Sequence, residues 1–434
     1  MRAGWRLGWR LIALPAVAWS APPSPPPPPA TLSADLSSLW QGTVDVWLRQ
    51  PLWQDARSYD ASSFLMVPLH AAFQARNPAQ MQAFRAHFRA LAEAWQGSDG
   101  ALVPGLLNQL QYLYLASRYL ALEQGLKPDA APGLLETQLT RRLEQLWDQQ
   151  PRIGYGERRF AGLRGGLDWK LGPSPARRGY EKAIGDDELF FLAIAGDLAQ
   201  VLRLRGTPRP APLSEILASA RRVFDQGGQF RADGGWVFQP GAWTDHPDFR
   251  YAGRTVKASD LQPAPVPGIA WDTSHGHRFP LWLLSLREAE AGGSPAWRDY
   301  DRMLAALGRQ FCGRVLVRPT AEVPYYRVTN YLDGSNGIFR WRYPSLAEGE
   351  GYGPYQLSGC LLLGWWGFLP DPEVRRAYVH LARNWPPPAP ALDLYEGPRA
   401  AQERSRAFLD LGSPAMRFRE LIVRLLGDFQ EPAP

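Results

Sequence analysis

Apolar residues recur at helical spacing in about a dozen segments of this 434-residue chain, and Gly or Pro marks nearly every junction between them. Strand-like runs are few, at Gly235–Gln239, Val315–Arg318 and Glu322–Val328. The pattern predicts a fold dominated by α-helices. The predicted helices are Leu36–Leu48, Ser62–Arg76, Ala79–Gln96, Leu106–Glu123, Gly133–Gln149, Asp187–Arg205, Ser214–Gln226, Asp272–Ala291, Ala296–Phe311, Tyr355–Phe368, Pro372–Arg383 and Ser413–Leu426.

Two kinds of helix alternate along the chain. One kind opens on a polar or aromatic cluster and then becomes uniformly apolar, as in Asp187–Arg205. The other kind is amphipathic throughout, as in Ala79–Gln96, which is typical of a helix on the surface. The alternation therefore predicts an inner ring of helices wrapped by an outer ring, with the polar starts of the inner helices at one end.

This helix order resembles the six-hairpin (α/α)6 toroid of many glycoside hydrolases, polysaccharide lyases and sugar epimerases. The resemblance covers Leu36 to Leu426 and rests on helix alternation, without a diagnostic motif. It implies an all-α-dominated toroid with long loops and a few short β-strands at one end. We therefore expect a single catalytic domain over residues 36–430, and function has to be inferred from the site residues.

The N-terminus has the features of an export signal. Arg2, Arg6 and Arg10 accompany a short apolar run that ends in Ala-Trp-Ser, a small-x-small cleavage site at Ser20. We expect a signal over residues 1–20, a proline-rich linker over 21–35, and a periplasmic or secreted mature protein. An uncleaved N-terminal membrane anchor is the alternative.

Charge and motifs exclude several function classes. The formal net charge of +6 falls by three without the arginines of the predicted signal, and no dense basic run follows, which argues against nucleic-acid binding. The sequence contains no nucleophilic-serine motif, phosphate-cradling loop or paired-cysteine metal site, so we expect no cofactor and no metal. We expect a monomer. The spacing of Cys312 and Cys360 does not decide whether these two cysteines form a disulfide.

The stretch "AWDTSHGHRFPLWLLSL", from Ala270 to Leu286, places two of the six histidines one residue apart. Asp272 is at a helix N-cap position, and His275 and Arg278 follow on the same helix face. His277 lies about 200° from His275 around a helix, which argues against a shared metal ligand set. Because the positive end of a helix dipole disfavours imidazolium, we expect His275 to face the cleft as a neutral proton acceptor and His277 to pack behind it.

A second polar cluster, "GDDELFF", contains Asp186, Asp187 and Glu188 at the start of an inner helix. Three acids in a first turn stabilise a helix without any chemistry, so a structural role and a catalytic role both stay open. The string is similar to the aspartate-rich motif of terpene synthases, but Phe190 replaces the completing acid and no second metal motif follows. We expect neither a prenyl substrate nor a nucleotide cofactor.

Long loops between the helices, among them residues 152–170 and 234–260, are rich in aromatic residues and in groups that hydrogen-bond sugars. In the second of these loops His246 precedes Pro247 in a turn-like context, which favours a structural role. Aromatic faces stack on sugar rings, although the same rings could simply plug one end of the barrel. The predicted substrate-binding residues, from these loops and from the helix starts, are Tyr59, Asn108, Trp236, Asp333, Asn336, Arg340, Trp341, Glu350 and Tyr355.

Two chemistries fit an extended glycan substrate. β-Elimination at a uronate requires a cation at the carboxylate, from Arg278, Arg340 or Asn336, and a base, from His275 with Tyr331. Hydrolysis requires two carboxylates across the scissile bond, drawn from Asp187, Asp272, Asp333, Glu348 and Glu350. The histidine and arginines favour elimination of an acidic polysaccharide. Epimerisation and non-catalytic glycan binding in polysaccharide export stay as alternatives.

The export signal makes a prediction that needs only the expressed protein. Cleavage after Ser20 gives a mature chain that begins near Ala21 and lies outside the cytoplasm. Mass spectrometry of the fractionated protein checks this, and an intact Met1-containing chain in the soluble cytoplasm would contradict it.

Overall fold

A computed structural model describes residues 32–54, 57–96, 103, 105–343, 346, 350–397 and 412–428 of the chain. The predicted signal, most of the proline-rich linker, and Glu348 lie outside the described residues. In the described part of the chain, none of the helices combines the length and apolar character needed to cross a membrane.

Helices dominate the described chain, as the sequence predicts. The α-helices are α1 (Ala34–Gly42), α2 (Val44–Leu48), α3 (Arg57–Gln74), α4 (Pro78–Trp95), α5 (Leu106–Leu126), α6 (Leu134–Glu144), α7 (Leu163–Leu171), α8 (Asp186–Arg205), α9 (Ala211–Gly227), α10 (Thr273–Gly276), α11 (Phe279–Ala289), α12 (Pro295–Gln310), α13 (Pro372–Arg383), α14 (Ala389–Glu396) and α15 (Pro414–Asp428).

Short elements connect these helices. Three antiparallel two-stranded hairpins are formed by β1 (Arg152–Ile153) with β2 (Arg159–Phe160), β3 (Gly228–Phe230) with β4 (Trp236–Phe238), and β5 (Leu316–Val317) with β6 (Arg327–Val328). Single turns of 3-10 helix lie at Leu52–Gln54, Tyr155–Glu157, Gly179–Lys182, Pro247–Phe249, Ser358–Leu363 and Trp365–Phe368, and π-helical turns at Gln145–Gln149 and Phe311–Val315.

Local sequence explains several helix boundaries. The Asn77 side chain accepts the Gln80 N–H at 3.2 Å at the start of α4, and Ser294 accepts the Trp297 N–H at the start of α12. In both helices a Pro follows the cap, where its missing N–H leaves no donor unpaired. Helix α8 ends at Gly206, whose φ of 70° is in the left-handed region that favours Gly.

The most apolar helices pack side by side in chain order: α3 on α5, α5 on α8, and α8 on α11. Helix α15 contacts both α3 and α13. The amphipathic helices α4, α9 and α12 lie against α3, α8 and α11 respectively. This arrangement brings the N-termini of α5, α8 and α10 to one cavity.

Several boundaries differ from the sequence prediction. The helix predicted over Asp272–Ala291 is interrupted at His277 and Arg278, between the one-turn α10 and α11, which has a Pro in its first turn. The helix predicted over Tyr355–Phe368 is instead two 3-10 turns joined by Gly364, whose φ is 80°. The β1–β2 hairpin and α7 lie in a segment that was predicted as a loop, and both cysteines are free.

A buried ion pair joins the three central helices α5, α8 and α11. Arg118 on α5 forms an ion pair with Asp197 on α8, with Nη1 2.8 Å from Oδ1, and donates to the Ser285 hydroxyl on α11 at 3.0 Å. Ser117 donates to the other Asp197 oxygen at 2.8 Å, and Gln200 accepts from Arg118. Each charge is almost completely removed from water, so each depends on the other.

Removal of one member of this pair should therefore destabilise the fold severely. We expect Asp197→Ala to lower the free energy of unfolding by about 3–5 kcal/mol, because Arg118 is left buried without its counter-charge. The double variant Arg118→Met/Asp197→Leu should recover much of that loss. Urea denaturation measures both, and additive losses in the double variant would contradict the prediction.

Candidate functional site

A cavity of about 520 Å³ lies at the N-terminal ends of α5, α8 and α10. Its wall is part aromatic and part charged. The lining residues are Leu106, Leu107, Arg152, Ile153, Gly154, Tyr155, Gly185, Asp186, Asp187, Trp243, His246, Asp248, Phe249, Trp271, Asp272, His275, Phe339 and Arg340.

Asp272 and His275 form a hydrogen-bonded pair in this wall. Asp272 caps α10 by accepting the His275 N–H at 3.2 Å, and its carboxylate lies 2.8 Å from the His275 Nδ1. The Ser274 hydroxyl also donates to the carboxylate. Burial raises the pKa of the Asp272 carboxyl, but the charge and hydrogen bond of His275 outweigh burial and bring that pKa to about 2. Asp272 is therefore an ionised partner for the imidazole.

An ionised carboxylate at Nδ1 fixes the tautomer of the neutral ring. Nδ1 carries the proton that is donated to Asp272, which leaves the lone pair of His275 on Nε2. The His275 side chain is 23% exposed and lines the cavity, whereas Asp272 is buried behind it. Helix α10 is only one turn long, so the helix dipole expected from the sequence is weak here. The ring of His275 is oriented instead by its hydrogen bond to the Asp272 carboxylate.

His246 is a second imidazole in the cavity wall, from a loop where the sequence favoured a structural role. Its Nδ1 accepts the Asp248 N–H at 3.2 Å, so the neutral ring carries its proton on Nε2. Burial lowers the pKa of His246 and outweighs the opposing charge of Asp248. The cavity thus combines a ring that accepts at Nε2 with a ring that donates at Nε2.

Arg340 supplies a cation to the same wall. Its Nε donates to Asp248 at 2.8 Å, while Nη1 and Nη2 make no hydrogen bond to the described residues. Its backbone lies in the left-handed region, with φ at 54°, and its N–H donates to the Asp248 carbonyl. Two bonds to Asp248 therefore hold Arg340 with one side of its guanidinium available for a ligand.

Asp186 and Asp187 at the start of α8 are both ion-paired. Arg278 donates to Asp186 and, at 3.3 Å, to the Tyr59 hydroxyl. Arg152 donates to Asp187 at 2.7 Å and lies 3.3 Å from Glu188, which also binds Lys170. Arg278 is 4% exposed and is not among the lining residues, so its guanidinium ties α11 to α8.

Of the residues selected from the sequence, the cavity brings together Asp187, Asp272, His275 and Arg340. Tyr59 reaches Arg278 behind the wall, and Asn108 lies in the first turn of α5, next to two lining leucines.

The other selected residues have structural contacts. Tyr331 is fully buried and donates to the Ile338 carbonyl at 2.9 Å, so its hydroxyl is not placed to act as a base. Trp236 and Trp341 are buried away from the wall. The remaining four accept backbone N–H groups or contact a cation: Asp333, Asn336, Glu350 with Lys257, and Tyr355 with Arg327.

Several other lining residues could not be selected from the sequence. Tyr155, Arg152 and Asp248 were not selected, and His246 was set aside because it precedes a Pro. These residues come from loops far apart in the sequence and carry no periodic signal. The concentration of Trp, His, Asp and Tyr in 243–251 was the available clue.

No family model, curated protein or solved structure matches this chain. The likeness to the toroid enzymes therefore stays an architectural resemblance, and function has to be inferred from the residues of the cavity. Within the described ranges, no group of three or more His, Cys, Asp or Glu side chains is arranged to hold a metal ion.

The two histidines of α10 and its C-cap should respond differently to truncation. His277 is 2% exposed and packs on Trp365, with ring centroids 5.6 Å apart, so His277→Ala leaves a hole in the core. We expect a loss of about 2 kcal/mol or more in the free energy of unfolding. His275→Ala should cost much less. Urea denaturation compares them, and a larger loss for His275→Ala would reverse the assignment.

Proposed function

We propose that this protein is an exported enzyme that cleaves an acidic, uronate-containing polysaccharide by β-elimination. The supporting observation is that the Asp272–His275 pair and Arg340 line one cavity. Elimination requires a base for a weakly acidic C–H and a cation for the neighbouring carboxylate, and His275 and Arg340 are groups of these two types.

We further propose that the scaffold is an (α/α)6 toroid. Helices α3, α5, α8 and α11, the 3-10 turns of 358–368, and α15 would form the inner ring. The contacts of α11 and α15 with those turns, and of α15 with α3, support closure of that ring. Helices α4, α6, α9, α12 and α13 would then belong to the outer layer.

In the proposed reaction, Arg340 binds the uronate carboxylate and makes the C5–H more acidic. His275 Nε2 accepts the C5 proton, the electron pair forms the C4=C5 bond, and the bond from C4 to the glycosidic oxygen breaks. Asp272 stabilises the imidazolium that forms. His246 Nε2–H is suited to donate a hydrogen bond to the departing oxygen, which takes its proton from solvent.

Hydrolysis by Asp186 and Asp187 is the second candidate, because both acids line the cavity. Both carboxylates are already engaged by guanidinium groups. Hydrolysis requires one carboxyl group that delivers a proton to the leaving oxygen, and an ion-paired carboxylate is a poor donor. The charges of the site therefore favour elimination.

Incubation of the mature protein with neutral and uronate-rich polysaccharides tests the proposal. An unsaturated, ultraviolet-absorbing product is expected from a uronate-rich substrate. His275→Ala should lower kcat by about 100-fold or more, because a positioned base contributes about that factor. His277→Ala is the matched control: once correction is made for its folded fraction, it should retain activity. New reducing ends without the unsaturated product would favour hydrolysis, and unaffected turnover in His275→Ala would overturn the mechanism.

A further inference from the structure

Three exposed arginines lie on a surface beside the cavity, which we call the arginine rim: Arg158, Arg177 and Arg178. Arg158 is in the turn between β1 and β2, and its guanidinium lies 4.5 Å from the centre of the Trp169 ring. Arg177 and Arg178 precede the Gly179–Lys182 turn, and Arg178 lies over Tyr180. The β1–β2 turn and the Gly179–Lys182 turn pack against each other.

The rim arginines make no ion pair with the described residues, unlike Arg152 and Arg340 in the neighbouring cavity and Arg278 behind its wall. Two acids nearby are directed at the backbone instead: Asp245 accepts the Gly179 and Tyr180 N–H groups, and Glu181 accepts the Arg177 N–H.

Glu157 is also exposed in the β1–β2 turn, so arginine side chains outnumber free carboxylates on this surface. The Arg178 guanidinium donates to the Tyr180 hydroxyl at 3.4 Å, and the other two rim guanidinium groups make no hydrogen bond to the described residues.

Aromatic rings connect the rim to the cavity. Tyr180 contacts Tyr155, with ring centroids 5.7 Å apart, and His246, at 4.8 Å. Both of those rings line the cavity. A chain of sugars that leaves the cavity past Tyr155 therefore meets Tyr180 and then Arg178.

We propose that the arginine rim is a subsite for anionic groups, carboxylate or sulfate, on glycan units outside the cavity. This inference rests on the proposed function, because it assumes that the cavity takes a unit of the same polymer. Guanidinium groups bind carboxylate and sulfate with paired N–H donors, and the exposed Tyr155 ring between the rim and the cavity offers a stacking surface for a sugar. The continuity of those rings with the cavity favours a glycan over a nucleic acid.

The test measures binding, so it does not depend on turnover. In a His275→Ala background, calorimetry at low salt gives the affinity for polygalacturonate, alginate, neutral hydroxyethylcellulose and oligo-dT. Arg158→Glu/Arg178→Glu should weaken binding of polygalacturonate or alginate by about tenfold, as expected for two exposed ionic contacts. Binding of hydroxyethylcellulose should be unchanged. Arg158→Gln/Arg178→Gln should give a smaller loss of affinity in the same direction.

The matched control reverses the charge of two exposed arginines that make no ion pair with the described part of the chain, Arg89→Glu on α4 and Arg141→Glu on α6. It makes the same change in net charge away from the rim and should alter affinity less than twofold. Equal losses in the control, or no binding of either acidic glycan, would overturn the subsite. Oligo-dT binding as tight as the glycans, with the same loss, would make the rim a general polyanion surface.

Failure of the proposed function is seen separately. If the subsite exists but the protein does not catalyse elimination, the binding pattern described above is observed and the wild-type protein gives no unsaturated product.

Discussion

The Asp272 carboxylate holds the candidate site together. It caps α10, and its hydrogen bond to Nδ1 sets the direction of the His275 ring. The backbone on either side of it pairs with the segment around Tyr331, through the Thr273 N–H to the Asn330 carbonyl and the Leu332 N–H to the Trp271 carbonyl. That pairing anchors the loop that continues to Arg340. One residue therefore links the base, its helix and the loop that carries the cation.

The short-range part of this arrangement could be predicted from sequence. Asp272 and His275 are three residues apart, so one turn of helix places them on the same side, and His277 has to point elsewhere. The structure shows His275 at the cavity and His277 in the core. The helix-dominated fold could also be predicted, because the periodic spacing of apolar residues shows which face of each helix is buried.

The long-range part could not be predicted, because it depends on which loops meet. Arg278 was expected to bind a substrate carboxylate, yet Asp186, 92 residues earlier in the chain, takes its guanidinium. His246 was assigned to a turn, and it does bond within its turn, but packing of that loop against Tyr155 and Tyr180 places it in the cavity wall. Neither outcome has a periodic signature in the sequence.

Charge pairing divides the functional surface into two parts. In the cavity, Arg152 and Arg340 each form an ion pair with an aspartate, which fixes the position of each guanidinium group. A bound anion can then use only the N–H groups that the aspartates do not occupy. On the rim, the guanidinium groups make no ion pair with the residues that the structure describes. Ion-paired guanidinium groups in the cavity and a more basic exterior are consistent with a polymer recognised along its length and cleaved at one uronate.

The state of the His275 ring tests this account most directly. Nitrogen-15 NMR of the mature protein reports which nitrogen of the neutral ring carries the proton. His275→Gln identifies the signal. The account predicts a proton on Nδ1, held by Asp272, and an unprotonated Nε2. In Asp272→Asn that preference should be lost. A neutral His275 with its proton on Nε2 in the wild-type protein would contradict the assignment of this residue as the base.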